Sequence, residues 1–135
     1  MLVACSGDDG PRVTEFEYDR PAEPSRSEVL VVDWTQATAT ALSVGESVTL
    51  AFGGARYGVA RMDSDSGPAE MTLAIPENID PVVWLVSPSR RVVAFVRGRE
   101  AARALTFRPN DHGRHFLVVR DAHFAEGQVV VSLRK

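Results

Sequence analysis

Large apolar and small or polar residues alternate along much of this chain, and the alternation stops at short groups of glycine, proline, aspartate and asparagine. In SVTLAF, at residues 47–52, every second side chain is large and apolar. The same period of two recurs in residues 71–75 and 129–133. Because successive side chains of a strand point to opposite faces, this pattern predicts antiparallel strands with one face buried and one in water.

Other segments are apolar on both faces, which is typical of central strands or of strands covered on both sides. They span residues 29–34, 82–86, 92–96 and 116–119. Turn residues separate the segments, as at 53–54 (GG) and 76–81 (PENIDP). About eight or nine short strands at this spacing predict an all-β fold, a jelly-roll-like antiparallel β-sandwich. GREAARAL at 98–105 is too short for an independent helix and is predicted as a loop or a strand start.

Residues 1–28 are predicted to be a tether in front of a β-sandwich domain at 29–135. Glycines, prolines and small polar residues recur there, as in RPAEPSRS at 20–27, and such composition buries little surface. VTEFEY at 13–18 alternates weakly and could supply one edge strand. A length of 135 residues fits one folded domain. No apolar run approaches the roughly 20 residues that span a bilayer.

Charge is distributed unevenly along the chain. Residues 1–89 hold 5 arginines and 14 acidic residues, whereas residues 90–120 hold 8 arginines and 2 acidic residues. The basic segment could form an arginine-rich surface for an acidic partner, with Arg97 and Arg120 as candidate contacts. The favoured interpretation is that these arginines lie on solvent faces of strands and pair with acids of the first half. The net charge of −3 argues against nucleic acid as a partner.

Two loops carry residues of the types that bind ligands or metals. His112 and His115 lie at the turn before a predicted strand and are candidate binding residues. Two histidines alone make a weak metal site, so no metal centre is predicted there. DSDSG at 63–67 has closely spaced carboxylates, but glycine and proline stand where a calcium loop needs an oxygen ligand and glycine. A polar hairpin loop is therefore favoured over a weak calcium site at Asp63 and Asp65, and no other cofactor is predicted.

Motifs of catalysis do not occur in the sequence. There is no G-x-S-x-G, no phosphate-binding glycine loop and no H-E-x-x-H. We therefore expect a non-catalytic binding or scaffolding protein. Trp34, which precedes the polar TQATAT, is a candidate for stacking on a polysaccharide, whereas Trp84 lies in a wholly apolar strand and is expected in the core.

The sequence LVAC at residues 2–5 resembles the lipobox of bacterial lipoproteins, and its cysteine is the only one in the chain. The resemblance implies a diacylglycerol thioether on Cys5, cleavage before it, and attachment to the cell envelope. Ser6 is similar to the residue found there in outer-membrane lipoproteins. The basic and apolar parts of a signal peptide do not precede LVAC in this sequence, so we expect the signal peptide to begin upstream of Met1. A single cysteine forms no internal disulfide.

Residues 42–133 look like a pre-peptidase C-terminal domain of bacteria, on the strength of LSVGESVTLAF, DPVVWLVSP and the final hairpin from LTFRPN to VVVSL. The matching positions are Gly113, Phe116, Val118, Gly127, Val129 and Leu133. This resemblance implies a non-catalytic β-sandwich of a secreted or surface protein, and some such domains bind calcium or polysaccharide. DPVVWLV has Val and Trp where the family usually has Asp and Leu.

Taken together, these features predict an envelope-anchored lipoprotein, facing the periplasm or the cell surface from the outer membrane. It would bind a polysaccharide or a protein of the envelope through its sandwich domain. The alternative is a free secreted or cytoplasmic interaction domain that binds an acidic partner through the arginines of residues 90–120.

Overall fold

A computed structural model describes residues 23–31, 39–63, 68–108 and 113–135 of the chain. Nine strands in these ranges form two sheets, which confirms the predicted β-sandwich. The first sheet has the order β1-β3-β8-β5-β6 and the second has the order β2-β9-β4-β7. The elements are β1 (Thr40–Ala41), β2 (Glu46–Phe52), β3 (Gly58–Asp63), β4 (Ala69–Ala74), β5 (Pro81–Val86), β6 (Val92–Arg97), α1 (Arg99–Ala102), β7 (Ala104–Phe107), β8 (Arg114–Asp121) and β9 (Gly127–Arg134). Only β1 and β3 pair in parallel.

The second sheet shows the predicted alternation. Met71 and Leu73 of β4 are buried, and Thr72 between them is exposed. In β9, Val129 and Val131 are buried and Val130 is exposed. One face of this sheet therefore packs on the first sheet, and the other face is in water.

The first sheet is covered on both faces at its centre. In β5, Val83 points into the core between the sheets, whereas Trp84 points to a second apolar cluster on the outer face. In β8, Leu117 and Val118 divide in the same way. The continuous apolar segments of β5 and β8 therefore form central strands, as predicted. Trp84 is fully buried, also as predicted.

Two segments differ from the predicted strands. Glu28–Val31 form a 3-10 helix where a strand was predicted to begin at Val29, because the Leu30 N–H bonds the Ser27 carbonyl while Val29 is buried in the outer apolar cluster. The 92–96 segment is not covered on both faces. It belongs to β6, an edge strand on which Val93 is 49% exposed.

The GREAARAL segment contains one helical turn, α1, where a loop or a strand start was predicted. Gly98 precedes it with φ 94°, a backbone conformation that favours glycine. Ala102 stabilises the turn because its side chain is completely buried in the core. Strand β7 begins at Ala104, so part of the segment is a strand start.

Candidate binding site

The chain reaches the sandwich over the outer face of the first sheet. Trp84 Nε1 donates a hydrogen bond to the Ser25 carbonyl at 2.8 Å, and an Arg26 guanidinium nitrogen donates to the Val92 carbonyl at 3.1 Å. Val29 completes this contact, with no exposed surface. Residues 23–28, the described part of the predicted tether, therefore lie against the domain.

Arg120 is buried beneath this segment. Its Nε and one terminal nitrogen donate to the two Glu28 carboxylate oxygens, each at 2.7 Å, in a bidentate pair. Its other terminal nitrogen donates to the carbonyls of Asp121 and Ala122. The guanidinium carbon lies 4.0 Å from the centroid of the Phe124 ring, which adds a cation–π contact.

This position corrects the expectation that Arg120 lies on an arginine-rich surface. Arg120 is 2% exposed. Like Phe116 and Val118 on the same strand, β8, it points to the outer face of the first sheet. Its charge is compensated by Glu28, an acid of the first half of the chain, as the favoured interpretation expected, but Arg120 does not lie on a solvent face as that interpretation also expected. An outside partner cannot reach this guanidinium while the segment around Glu28 stays in place.

The pair shifts the titration of three groups. Burial opposes ionisation of Glu28, but hydrogen bonds from Arg120 and Tyr57 and the charge of Arg120 outweigh it and lower its pKa. Burial and the Glu28 carboxylate, which accepts the Tyr57 hydroxyl hydrogen bond, raise the Tyr57 pKa to about 12. Burial also opposes the charge on Arg120, yet Glu28 raises its pKa above the ordinary value. All three groups hold fixed protonation states near neutral pH and act as a structural unit.

Asp121 is a buried carboxylate with a structural role. Its Oδ1 accepts the Asp80 N–H at 2.8 Å, and its Oδ2 accepts the N–H groups of His123 and Ala125 at 2.7 and 3.1 Å. Burial alone raises its pKa, but these three donors lower it below the usual value. Asp121 therefore fixes the turn between β8 and β9.

The remaining predicted site residues have different positions. Arg97 lies at the end of β6 and forms an ion pair with Glu23 at 2.6 Å, with 43% of its side chain exposed. His115 is only 2% exposed and stands in register with Met62 of β3, so it is in the interior and not on a surface turn. Cys5, Trp34, Asp65 and His112 lie outside the described residues.

A polar cleft lies at one rim of the sandwich. Strands β3 and β8 pair so that Asp63 stands opposite Arg114, and an Arg114–Asp63 contact of 3.8 Å joins the two side chains. Arg61 lies two residues before Asp63 and donates to the Ala39 carbonyl at 2.8 Å. These groups and Ser43 line an open cleft of about 430 Å³. That volume is within the range of about 300–1,000 Å³ for small-molecule sites.

The cleft and the entry of the chain are at opposite ends of the first sheet. Arg97, which binds Glu23, pairs with Val82, and Val82 pairs with Arg120 near the end of β8. Arg114 begins β8, six residues from Arg120, which is about 20 Å along an extended strand. A ligand in the cleft would therefore be remote from the described start of the chain.

The cleft was not identified from the sequence as a site, although Asp63 was named as a calcium candidate. Among the ranges that the structure describes, no three histidine, cysteine or acidic residues are grouped to hold a metal. Asp63 instead faces Arg114. The polar hairpin loop favoured for residues 63–67, with the weak calcium site as its alternative, stays a prediction because residues 64–67 lie outside the described ranges. In those same ranges no helix is long and apolar enough to cross a membrane.

Comparison with solved structures identifies the architecture. The pre-peptidase C-terminal domain of a collagenase from Bacillus anthracis superposes with a TM-score of 0.58 at 15% sequence identity. The match covers 71% of this chain and 94% of that domain. The likeness is one of fold. The solved structure is a domain of the same kind that the sequence of residues 42–133 resembles.

A second solved structure has a lower similarity. PliG of Aeromonas hydrophila, a periplasmic inhibitor of g-type lysozyme, gives a TM-score of 0.47 at 10% identity, covering 72% of this chain and 98% of PliG. No protein family and no curated protein matches the sequence itself.

Proposed function

We propose that this protein is a non-catalytic binding module of the bacterial cell envelope, held there by a lipid on Cys5, and that it binds its ligand in the cleft of Arg61, Asp63 and Arg114. The observation that carries the proposal is the composition of this cleft. It offers guanidinium donors and a carboxylate acceptor to a ligand in an open space of suitable size.

The cleft favours a ligand with both carboxylates and hydroxyl groups, such as an acidic polysaccharide. Arg114 is about half exposed, so a ligand carboxylate can reach its guanidinium. Arg61 is held by the Ala39 carbonyl and is a more rigid donor. Asp63 can accept from sugar hydroxyls. A fold shared with the pre-peptidase C-terminal domain of a collagenase supports a binding role over a catalytic one.

The position of the cleft suits a protein anchored near its N-terminus. Glu23 binds the end of the first sheet that lies away from the cleft. Between Cys5 and Glu23 the chain can span at most about 60 Å. A lipid on Cys5 would therefore attach through the end of the sheet that lies away from the cleft, and the tether would leave the cleft accessible to polymers of the envelope. Two or three acyl chains would make such an anchor stable.

Binding is tested by titrating the full chain with a uronic acid oligosaccharide in a calorimeter, with a neutral glucose oligosaccharide of equal length as the control ligand. Arg114→Ala should weaken binding of the acidic oligosaccharide by about tenfold, because a charge-assisted contact is lost. Arg56→Ala is the matched control, since Arg56 lies in the turn between β2 and β3 at the other end of β3. Equal affinities for both variants, or for both ligands, would contradict a cleft that recognises acidic sugars.

The anchor is tested separately by expressing the gene with its native upstream region in bacteria. We expect the wild type to take up labelled fatty acid and to sediment with membranes, and Cys5→Ala to do neither. A wild type without label would disprove lipidation and would favour the free interaction domain.

A further inference from the structure

Among the strands that the structure describes, β6 ends its sheet with an open edge. The Gly98 N–H donates to the Pro81 carbonyl at 2.9 Å, so Val96, two residues earlier, also turns its N–H and C=O towards β5. In an antiparallel pair the intervening residues turn these groups away from the partner. Phe95 and Arg97 thus direct their backbone N–H and C=O outwards, and no strand of the described ranges pairs with that side.

An apolar slot of about 70 Å³ opens beside this edge, between β6 of one sheet and β7 of the other. Its walls include Leu85 and Val96 from the first sheet, and Met71 and Leu105 from the second. A strand added along β6 would place every second side chain over this slot, because successive side chains alternate between faces. Those side chains would need to be apolar.

The surroundings of the edge are strongly basic. Residues 90–108 contain six arginines and a single acidic residue, Glu100. Arg97 pairs with Glu23 and Arg103 with Glu100, whereas Arg91 and Arg108 have no ion pair within the described part of the chain. A second copy of this chain would bring like charges together along β6, which disfavours pairing between copies. An acidic partner is favoured for the same reason.

We propose that the open edge of β6 binds an extended peptide segment of a partner protein by strand addition. The segment is apolar at every second position, over the slot, and acidic at the positions between. Backbone groups of Phe95 and Arg97 supply the hydrogen bonds, and the arginines of residues 90–108 select the acidic residues. This site is separate from the polar cleft of Arg61 and Arg114, and either can be occupied without the other.

The probe is a short synthetic peptide of alternating valine and glutamate, added to the isotope-labelled full chain and followed by NMR. We expect the amide signals of Phe95 and Arg97 to shift, those of Arg61 and Arg114 to stay in place, and the affinity to fall with added salt. N-methylation of the peptide nitrogens that face β6 should weaken binding by about tenfold or more, because the backbone hydrogen bonds are lost. A peptide of alternating valine and lysine should not bind.

The charge requirement is tested with Arg91→Glu and Arg108→Glu, each expected to weaken binding by about tenfold. Arg56→Glu is the matched control and should bind as the wild type does. Arg56 lies in the turn between β2 and β3; β3 is three strands from β6 in the first sheet, and β2 is at the edge of the second sheet opposite β7. The proposal is overturned if the N-methylated peptide binds equally well, or if the shifts map to the cleft. It is also overturned if β6 signals depend on protein concentration, which indicates self-association. Binding that appears only after Phe16→Ser and Tyr18→Ser would assign the edge to the chain's own residues 13–18.

Discussion

Removing the charge of Glu28 should destabilise the fold strongly, although Glu28 lies in a short helical segment at the periphery. In Glu28→Gln the side chain keeps its shape but no longer compensates Arg120. The Arg120 side chain is 2% exposed and that of Glu28 is 19% exposed, so water can reach the guanidinium only if the segment around Glu28 moves away. The variant must either keep an uncompensated buried cation or detach this segment.

The magnitude follows from the burial of the pair. Breaking a buried ion pair by removing one partner costs about 3–5 kcal/mol. The amide oxygen of glutamine can still accept one hydrogen bond, and Glu28 is not completely buried, so we expect a loss near the lower end, about 3 kcal/mol. The comparison variant is Glu23→Gln, which removes the ion pair with Arg97, whose side chains are 43% (Arg97) and 81% (Glu23) exposed. We expect this variant to lose less than about 1 kcal/mol of unfolding free energy.

The assay is urea unfolding of both variants at pH 7, followed by tryptophan fluorescence, with the free energy of unfolding taken by linear extrapolation. A double-mutant cycle with Arg120→Met isolates the pair, and we expect a coupling energy of about 2 kcal/mol between Glu28 and Arg120. The reasoning is refuted if Glu28→Gln loses no more stability than Glu23→Gln, or if the cycle gives no coupling.

Two further predictions concern the stability of the sandwich. Asp121 has a folded pKa below its unfolded value, so its contribution is complete above the unfolded pKa of about 3.9 and is lost as the pH falls through the folded pKa. Asp121→Asn should lower the urea midpoint at pH 7 and should make that midpoint fall less steeply as the pH drops below about 5. A variant whose midpoint falls with acid as steeply as that of the wild type would contradict this role. Gly127→Ala should cost about 1–3 kcal/mol, since the added Cβ would lie 2.5 Å from Ile79 Cδ1 in the core. Gly127→Ala with a wild-type urea midpoint would show that Ile79 moves freely.

Strand periodicity predicted most of the architecture because it depends on local alternation. Strands β2, β4 and β9 alternate since one face meets water, and β5 and β8 are continuous because the outer face is also covered. Local alternation does not indicate whether a strand lies at the centre or at the edge of its sheet. VVAFV at 92–96 resembles a central strand, but it is the edge strand β6.

The site was less predictable because it depends on contacts between distant residues. Arg120 is two residues after Val118 on β8 and so lies on the same buried face. This position indicates burial, but the many arginines around it favoured a surface role. Its partner Glu28 is 92 residues earlier, and no local pattern links the two. Likewise, Arg61 and Arg114 share a cleft only because β3 and β8 are neighbours.

The order of strands also constrains how the protein can fold. In the first sheet β3 and β5 are joined through β8, and in the second sheet β2 and β4 are joined through β9. Without β8 and β9, the first sheet consists of the pairs β1-β3 and β5-β6, and the second of the pair β4-β7 and the single strand β2. Folding must therefore await β8 and β9, and such long-range pairing makes it slow. Loss of residues 114–135 should abolish the whole domain rather than shorten it.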